Sequence, residues 1–303
     1  MRTHPGSGLS RRRFLAQASR AALGGSLVGL AGMGEAAAAK GPYAPFRMGM
    51  QSYSLRGFDR DTMLDDVRDL GLRYLEAFGT HFPLTDDAAA LADQKAALKA
   101  RGLRMTDYGV VPFGVDQEGN RALFVYAKTM GIATLSADPE PESFGQLDDL
   151  VEEFDINVAI HNHGPGARYD KIRSIVEAVQ GHGLRIGACI DTGHFIRSDE
   201  DPVKAIRALG PRVHSLHVKD VTADKQFTEV GKGVLDTVGM LQALLDVGFK
   251  GVMHLEYEEH VEAPLPYIEE CLVAMRAAIA KVRPAAQPRG RDQWPGWPSR
   301  QLG

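Results

Sequence analysis

Short runs of apolar and β-branched residues recur along this chain at nearly constant intervals, each followed by a helical pattern, and no other feature constrains the fold as tightly. The runs lie at Arg47–Leu55, Tyr74–Gly79, Arg104–Val110, Ile132–Ala137, Asn157–Gly164, Ile186–Asp191, Val213–Asp220 and Gly251–Glu258, with starts 27, 30, 28, 25, 29, 27 and 38 residues apart. Between them fall helical patterns such as Asp61–Leu70, Asp86–Arg101, Tyr169–His182, Val203–Leu209, Leu235–Val247 and Pro266–Lys281, several ending at a glycine. Repeated strand-then-helix units build parallel sheets. Eight of them predict an α/β chain closed into a (β/α)8 TIM barrel, an architecture of about 250 residues. The open doubly wound alternative needs a glycine-rich phosphate loop after its first strand, where this chain has Ser54-Leu55-Arg56-Gly57.

The units occupy residues 40–283, which we read as one catalytic barrel. Residues 1–39 hold five arginines and one acid. Ser10-Arg11-Arg12-Arg13-Phe14-Leu15 is followed by a weakly hydrophobic Gly/Ala-rich run from Ala21 to Met33 and by Ala36-Ala37-Ala38-Ala39, a small-residue cleavage site. This resembles a twin-arginine export signal, which implies a periplasmic or otherwise exported protein with no stable membrane insertion once the signal is removed. Five glycines between Gly24 and Gly34 speak against a basic anchor helix. Residues 284–303, rich in Pro, Gly and Arg with two Trp, read as a tail on the barrel. Cys189 falls in a strand and Cys271 in a helix, and we read them as two separate buried thiols.

Without its first 39 residues the chain has 30 basic and 38 acidic residues, a balance that argues against a nucleic-acid partner, because such affinity comes largely from neutralised phosphates. The oligomeric state stays open.

Chemistry in such a barrel sits at the carboxyl ends of the strands. There the fifth strand offers His161-Asn162-His163, the sixth Asp191-Thr192-Gly193-His194, the seventh His217-Val218-Lys219-Asp220 and the eighth Glu256-Tyr257-Glu258. A lone histidine at a strand end is more often hydrogen-bonded structure than a ligand. Imidazoles and carboxylates at four adjacent strand ends are a different matter: they suit one divalent ion of the zinc, manganese or cobalt type better than calcium or magnesium. Side chains two apart on a strand share a face, so His161 pairs with His163, His217 with Lys219 and Glu256 with Glu258. Gln51 and Tyr53 share a face on the first strand, where amide contact with hydroxyls and stacking on a sugar are expected. Glu76 at the second strand end is either a substrate partner or a carboxylate paired with Arg73 or His81. Lys219 either steadies negative charge on a substrate oxygen or pairs with Asp220, and we favour the substrate. His214 reads as outward and structural.

The strings Ile190-Asp191-Thr192-Gly193-His194, Leu216-His217-Val218-Lys219-Asp220 and His254-Leu255-Glu256-Tyr257-Glu258, with Gln51-Ser52-Tyr53-Ser54, resemble the xylose isomerase-like barrel family of sugar phosphate isomerases and epimerases over about residues 46–283. The resemblance implies Asp191, His217 and Glu256 as metal ligands and His194 as a substrate-facing group. Where the family carries a strand-five Glu, this chain has His161. The family removes a proton next to a sugar carbonyl while the metal stabilises the enediolate. With Glu256 alone remaining of the family's carboxylate pair, either His161 or His163 acts as the second acid/base, or a single base is followed by expulsion of a β-substituent, as in elimination from a 3-keto-glycoside or dehydration of an inosose. The expected activity is therefore a metal-dependent isomerase or epimerase acting on an unphosphorylated sugar or keto-sugar, with a carbon–oxygen lyase as the alternative. An apurinic endonuclease would need further histidines at the second and third strand ends, where Glu76, Asp107 and Tyr108 stand. A sugar-binding protein without catalysis is the remaining reading.

Overall fold

In a computed structural model that describes residues 41–282, the eight repeats close on themselves. The barrel strands are β1 (Met48–Gln51), β2 (Tyr74–Ala77), β3 (Arg104–Phe113), β4 (Thr134–Pro139), β5 (Asn157–His161), β6 (Ile186–Asp191), β7 (Val213–Val218) and β8 (Val252–Leu255). Each pairs in parallel with its sequence neighbours, and β1 closes the ring against β8. The TIM barrel expected from the repeat is therefore observed. The expected export signal and tail lie outside the described residues.

Between the strands run α1 (Arg60–Asp69), α2 (Ala88–Ala100), α3 (Gln117–Met130), α4 (Phe144–Phe154), α5 (Ile172–Ala178), α6 (Thr192–Arg197), α7 (Pro202–Leu209) and α8 (Thr237–Asp246), and α9 (Leu265–Ile279) follows β8. Aspartates start many of them: Asp59, Asp87, Asp116, Asp201 and Asp236 each accept backbone N–H groups that the first turn leaves without partners. No helix among the described residues is long and apolar enough to cross a membrane.

Strand residues of one parity, including Met50, Leu75, Ile160, Ile190, Leu216 and Leu255, are fully buried and belong to the hydrophobic core. Residues of the other parity fill the barrel with polar groups, among them Glu76, Asp107, His161, Cys189, Ser215, His217 and His254, all buried. Gly49 makes room for this filling, since a Cβ there would lie 2.8 Å from the His254 ring and 2.7 Å from the Tyr74 carbonyl oxygen. Cys189 and Cys271 are buried free thiols, as read from the sequence.

Several strands stop short of their expected ends. The first gives way at Ser52 to a 3-10 turn over Ser52–Leu55, the fifth ends at His161, the seventh at Val218 and the eighth at Leu255. The physical reason lies at the barrel mouth, where polar side chains take over the hydrogen bonding. Ser54 Oγ, for example, donates to the Leu255 carbonyl at 3.4 Å and accepts from the Tyr257 N–H at 3.0 Å.

Candidate metal and substrate site

Four side chains meet at the carboxyl ends of β5 to β8. Potential ligand atoms of His161, Asp191, His217 and Glu256 all lie within 4.8 Å of one another, and all four residues are buried. Parallel pairing sets this up, because Asp191 is in register with His217 and His161 with Cys189, which puts their side chains into the same mouth. Asp191 has two tasks. One oxygen, Oδ1, caps α6 by accepting the His194 N–H at 2.8 Å, while Oδ2 makes no hydrogen bond.

Hydrogen bonding gives a direct test of whether the set suits a cation. Asp191 Oδ2, Glu256 Oε2, His217 Nδ1 and both ring nitrogens of His161 are buried without a hydrogen-bond partner among the described residues. They are nevertheless close: His217 Nδ1 is 2.9 Å from Glu256 Oε2, and His161 Nε2 is 3.3 Å from Asp191 Oδ2. Buried polar atoms are ordinarily paired. A cluster that is close yet misaligned for mutual hydrogen bonds, with mixed nitrogen and oxygen donors, fits a divalent ion of the zinc type. One feature beneath the cluster supports the same conclusion. His217 donates through Nε2 to Glu76 Oε2 at 2.8 Å, which leaves the Nδ1 lone pair free for the mouth.

Electrostatics keep most of these ligands deprotonated. Burial alone would raise the Asp191 and Glu256 carboxyls, but the Lys219 ammonium, 3.0 Å from Asp191 Oδ2 and 2.9 Å from Glu256 Oε2, outweighs it and holds both well below the usual range. Burial pushes His161 down, toward the neutral form. His217 goes the other way. Although burial opposes it, neighbouring Cys189, Glu76 and Glu256 raise it well above the ordinary histidine value, so a cation at Nδ1 competes with a proton. Lys219 itself is pushed up by Asp191, Glu256 and Glu258 despite its burial.

Above the cluster opens a cavity of about 760 Å³. Its lining includes Gln51, Tyr53, His161, His163, His194, Lys219 and Glu256, so most of the residues singled out from the sequence converge here. His163 stacks on His194 with ring centroids 4.4 Å apart, and burial pushes His194 down to about 3, which keeps it neutral. Tyr53 packs edge-on against Phe78 at 5.1 Å.

Two expectations change. Glu76 does not line the cavity; it sits beneath the floor, bound to His217 and 3.3 Å from His254 Nδ1, and it contacts neither Arg73 nor His81. The cause is the partner across the barrel: Glu76 is fully buried with Oε2 held by His217 Nε2, which keeps it out of the cavity. Lys219 lines the cavity as expected but is ion-paired to Glu258 as well as to Asp191 and Glu256, not to Asp220. The Asp220 carboxylate instead receives the N–H groups of Val221, Gly231, Gly233 and Leu235, tying down the loop after β7. His214 is half-buried against the Leu184 carbonyl at 2.9 Å, in line with a structural role.

Sequence reasoning missed Phe78, Gly109, Val110, Arg197, Phe227 and the loop from Gly164 to Ala167, which complete the wall. Of these, Arg197 could have been found, since it lies one helical turn beyond His194 and so shares its face. Phe227 carries no comparable signal. It reaches the cavity through a two-stranded hairpin, Asp220–Val221 with Phe227–Thr228.

Comparison with known proteins agrees with this geometry. The family model described as Xylose isomerase-like TIM barrel matches residues 140–277, and solved structures align over nearly the whole described chain. The IolI protein, crystallised with a bound zinc atom, is 17% identical with a TM-score of 0.67, covering 78% of this chain and 99% of that one. The D-psicose 3-epimerase of Clostridium cellulolyticum H10, solved with D-tagatose, is 14% identical with a TM-score of 0.63, over 77% and 99% of the two chains.

The chain folds as a xylose isomerase-like TIM barrel.

Sequence relatives of this barrel include the rhizopine catabolism protein MocC of Rhizobium meliloti, 29% identical over 166 residues, 46% of this chain and 51% of that protein. The inosose dehydratase of Klebsiella pneumoniae is 29% identical over 152 residues, 42% of this chain and 49% of that protein. The chain thus spans about half the length of the curated relatives it matches. Both epimerases and a dehydratase stand among the proteins that resemble this xylose isomerase-like barrel.

Proposed function

We propose that this protein removes a proton from the carbon next to the carbonyl of an unphosphorylated sugar or keto-sugar, with the isomerisation or epimerisation that follows. The observation that carries the reading is the cluster of unbonded ligand atoms of His161, Asp191, His217 and Glu256 at the floor of a cavity walled by further imidazoles. A divalent cation held there would polarise a carbonyl and acidify the neighbouring C–H bond.

The remaining steps fall to the side chains. His194, neutral and accepting at Nδ1 from Arg197, can donate its Nε2–H to a substrate oxygen, and His163, stacked on it at the open end, is placed as the proton-accepting imidazole. The Lys219 ammonium lies at the cavity wall, where it offsets negative charge growing on a substrate oxygen. Gln51 and Tyr53 present an amide and an aromatic ring to hydroxyls and to a sugar face.

A second reading, elimination of a β-substituent, is favoured by one feature. The acids lining the cavity, Glu256 and Glu258, are both engaged by Lys219 on one side, and the far wall offers imidazoles in place of a second carboxylate. An asymmetric pair of this kind suits removing a proton with one group and protonating a leaving group with another. The similarity to inosose dehydratase supports it.

Incubation of metal-loaded protein with keto-sugars and 3-keto-glycosides in heavy water tests both readings. Deuterium should enter at the carbon next to the carbonyl, or the β-substituent should leave, and a chelator should stop either event. Binding without exchange, epimerisation or elimination would leave a sugar-binding protein instead. We also propose export by the twin-arginine route, on the strength of Ser10–Leu15. Replacing Arg11 and Arg12 by Lys should hold the precursor in the cytoplasm, and normal export of that variant would refute the signal.

A further inference from the structure

Charge within the cavity is distributed unevenly. Of its acidic lining residues, Glu256 and Glu258 are both ion-paired with Lys219, and Lys219 is neutralised further by Asp191. The other cation of the wall, Arg197, has no carboxylate among the described residues within ion-pairing distance. Its guanidinium lies over the Phe227 ring, 4.9 Å from the centroid, and donates from Nη1 to His194 Nδ1 at a long 3.4 Å. Gly164 opposite has no side chain to fill the space, and a Cβ there would come within 3.5 Å of Arg197 Nη1. A half-buried guanidinium, lying over an aromatic face and with no carboxylate partner among the described residues, is poised for a ligand that brings one.

We propose that Arg197 is a specificity residue that receives a carboxylate carried by the sugar, so that the substrate class is an acidic keto-sugar such as a uronic acid or its glycoside. The proposal rests on the reading that the cavity takes a sugar. Guanidinium geometry matches a carboxylate, since two parallel N–H groups of the planar fork meet its two oxygens. A phosphate would want donors for its remaining oxygens, and two N–H groups of the loop beside Arg197 are already bonded. The Gly166 N–H is bonded to Asp170 at 2.9 Å and the Ala167 N–H to the Gly164 carbonyl at 3.2 Å. Contact with Phe227, whose hairpin Asp220 ties down, restrains the position of the guanidinium before any ligand arrives, and that lowers the ordering cost of binding.

Calorimetric titration of the zinc-loaded full chain with D-glucuronate, D-glucose and D-glucose 6-phosphate tests this. D-glucuronate should bind roughly 10- to 100-fold more tightly than D-glucose, the span of a charge-assisted hydrogen-bonded pair. Arg197→Gln should abolish that preference, lowering D-glucuronate affinity far more than D-glucose affinity, and Arg197→Lys should restore only part of it. Equal affinity for D-glucuronate and D-glucose overturns the proposal, as does tighter binding of D-glucose 6-phosphate than of D-glucuronate. A preference for D-glucuronate that survives Arg197→Gln but vanishes with chelator places the carboxylate on the metal and also overturns it. Heavy-water exchange on a neutral keto-sugar, measured on wild type and on Arg197→Gln, separates the two failures: if exchange persists while the acid preference is absent, the proton-abstraction reading stands without this one.

Discussion

The two halves of the barrel differ in what they bring to the mouth. Strands β5 to β8 and their ends supply His161, Asp191, His217 and Glu256, the four-residue cluster at the mouth, together with Lys219, His194 and His163 from the segments that follow them. Strands β1 to β4 and their loops supply Gln51, Tyr53, Phe78, Gly109 and Val110 to the wall above, and Glu76 and Asp107 to the layer below. The second half therefore holds the candidate ligands, and the first half lines the space above them and packs beneath them. The family match over residues 140–277 follows the same division. Eightfold geometry treats all strands alike, so the asymmetry comes from side chains placed on an indifferent frame.

The largest expected effect sharpens that division. Asp191→Ala or His217→Ala should lose about one equivalent of bound divalent ion, because removing one ligand from a four-ligand site weakens it severely, and activity should fall to background. His163→Ala should cost less metal than His161→Ala. Metal analysis after purification decides both, and full occupancy in the Asp191 variant would break the assignment of the second half.

His194→Ala should next separate chemistry from metal binding inside that half. Turnover should drop by roughly 10²–10⁴, the usual worth of one acid/base group, while metal content holds. Should affinity for sugar change with no loss in rate per bound molecule, His194 is a binding group only.

The first half is tested by Glu76. Beneath the cluster, Glu76 is held below the ordinary carboxylate range by His217 and His254 in spite of burial, and Asp107, 3.2 Å from His254 Nε2, is pushed well above it by burial and by Glu76. Replacing Glu76 by Ala should weaken metal affinity roughly 10- to 100-fold, as for other groups that orient a ligating histidine, and Glu76→Gln, which keeps an acceptor but not the charge, should cost less. Competition with a chromophoric chelator measures it. Unchanged affinity in both variants would make the first half wall material alone.

The smallest effect concerns that wall. Tyr53→Ala removes a ring packed against Phe78 and covered by the Arg56 guanidinium at 4.4 Å, and should weaken sugar binding by about 1 kcal/mol, in the range of single aromatic contacts. KM should rise several-fold with kcat nearly unchanged. A fall in kcat alone would mean that Tyr53 acts on the reacting centre.

The primary sequence by itself determined the barrel and most of the candidate ligand set. A repeat of strand and helix near 28 residues leaves few closed solutions, and polar residues two apart at strand ends betray a shared face even where the strand has stopped, as at Glu256 and Glu258 beyond Leu255. Period and parity are local properties, written in neighbouring residues. Only the tertiary structure decided what crosses between units. Glu76 and His217 are 141 residues apart and meet because β2 and β7 face each other across the barrel, and that contact places Glu76 behind a candidate ligand, neither in the cavity nor paired with Arg73 or His81. Phe227 and Arg197 likewise reach the cavity through a hairpin and a short helix whose positions depend on where other strands end. Which charges lack an ion-pair partner among the described residues, Arg197 against the fully engaged Lys219, is a sum over all neighbours in space, and no spacing along the chain encodes it.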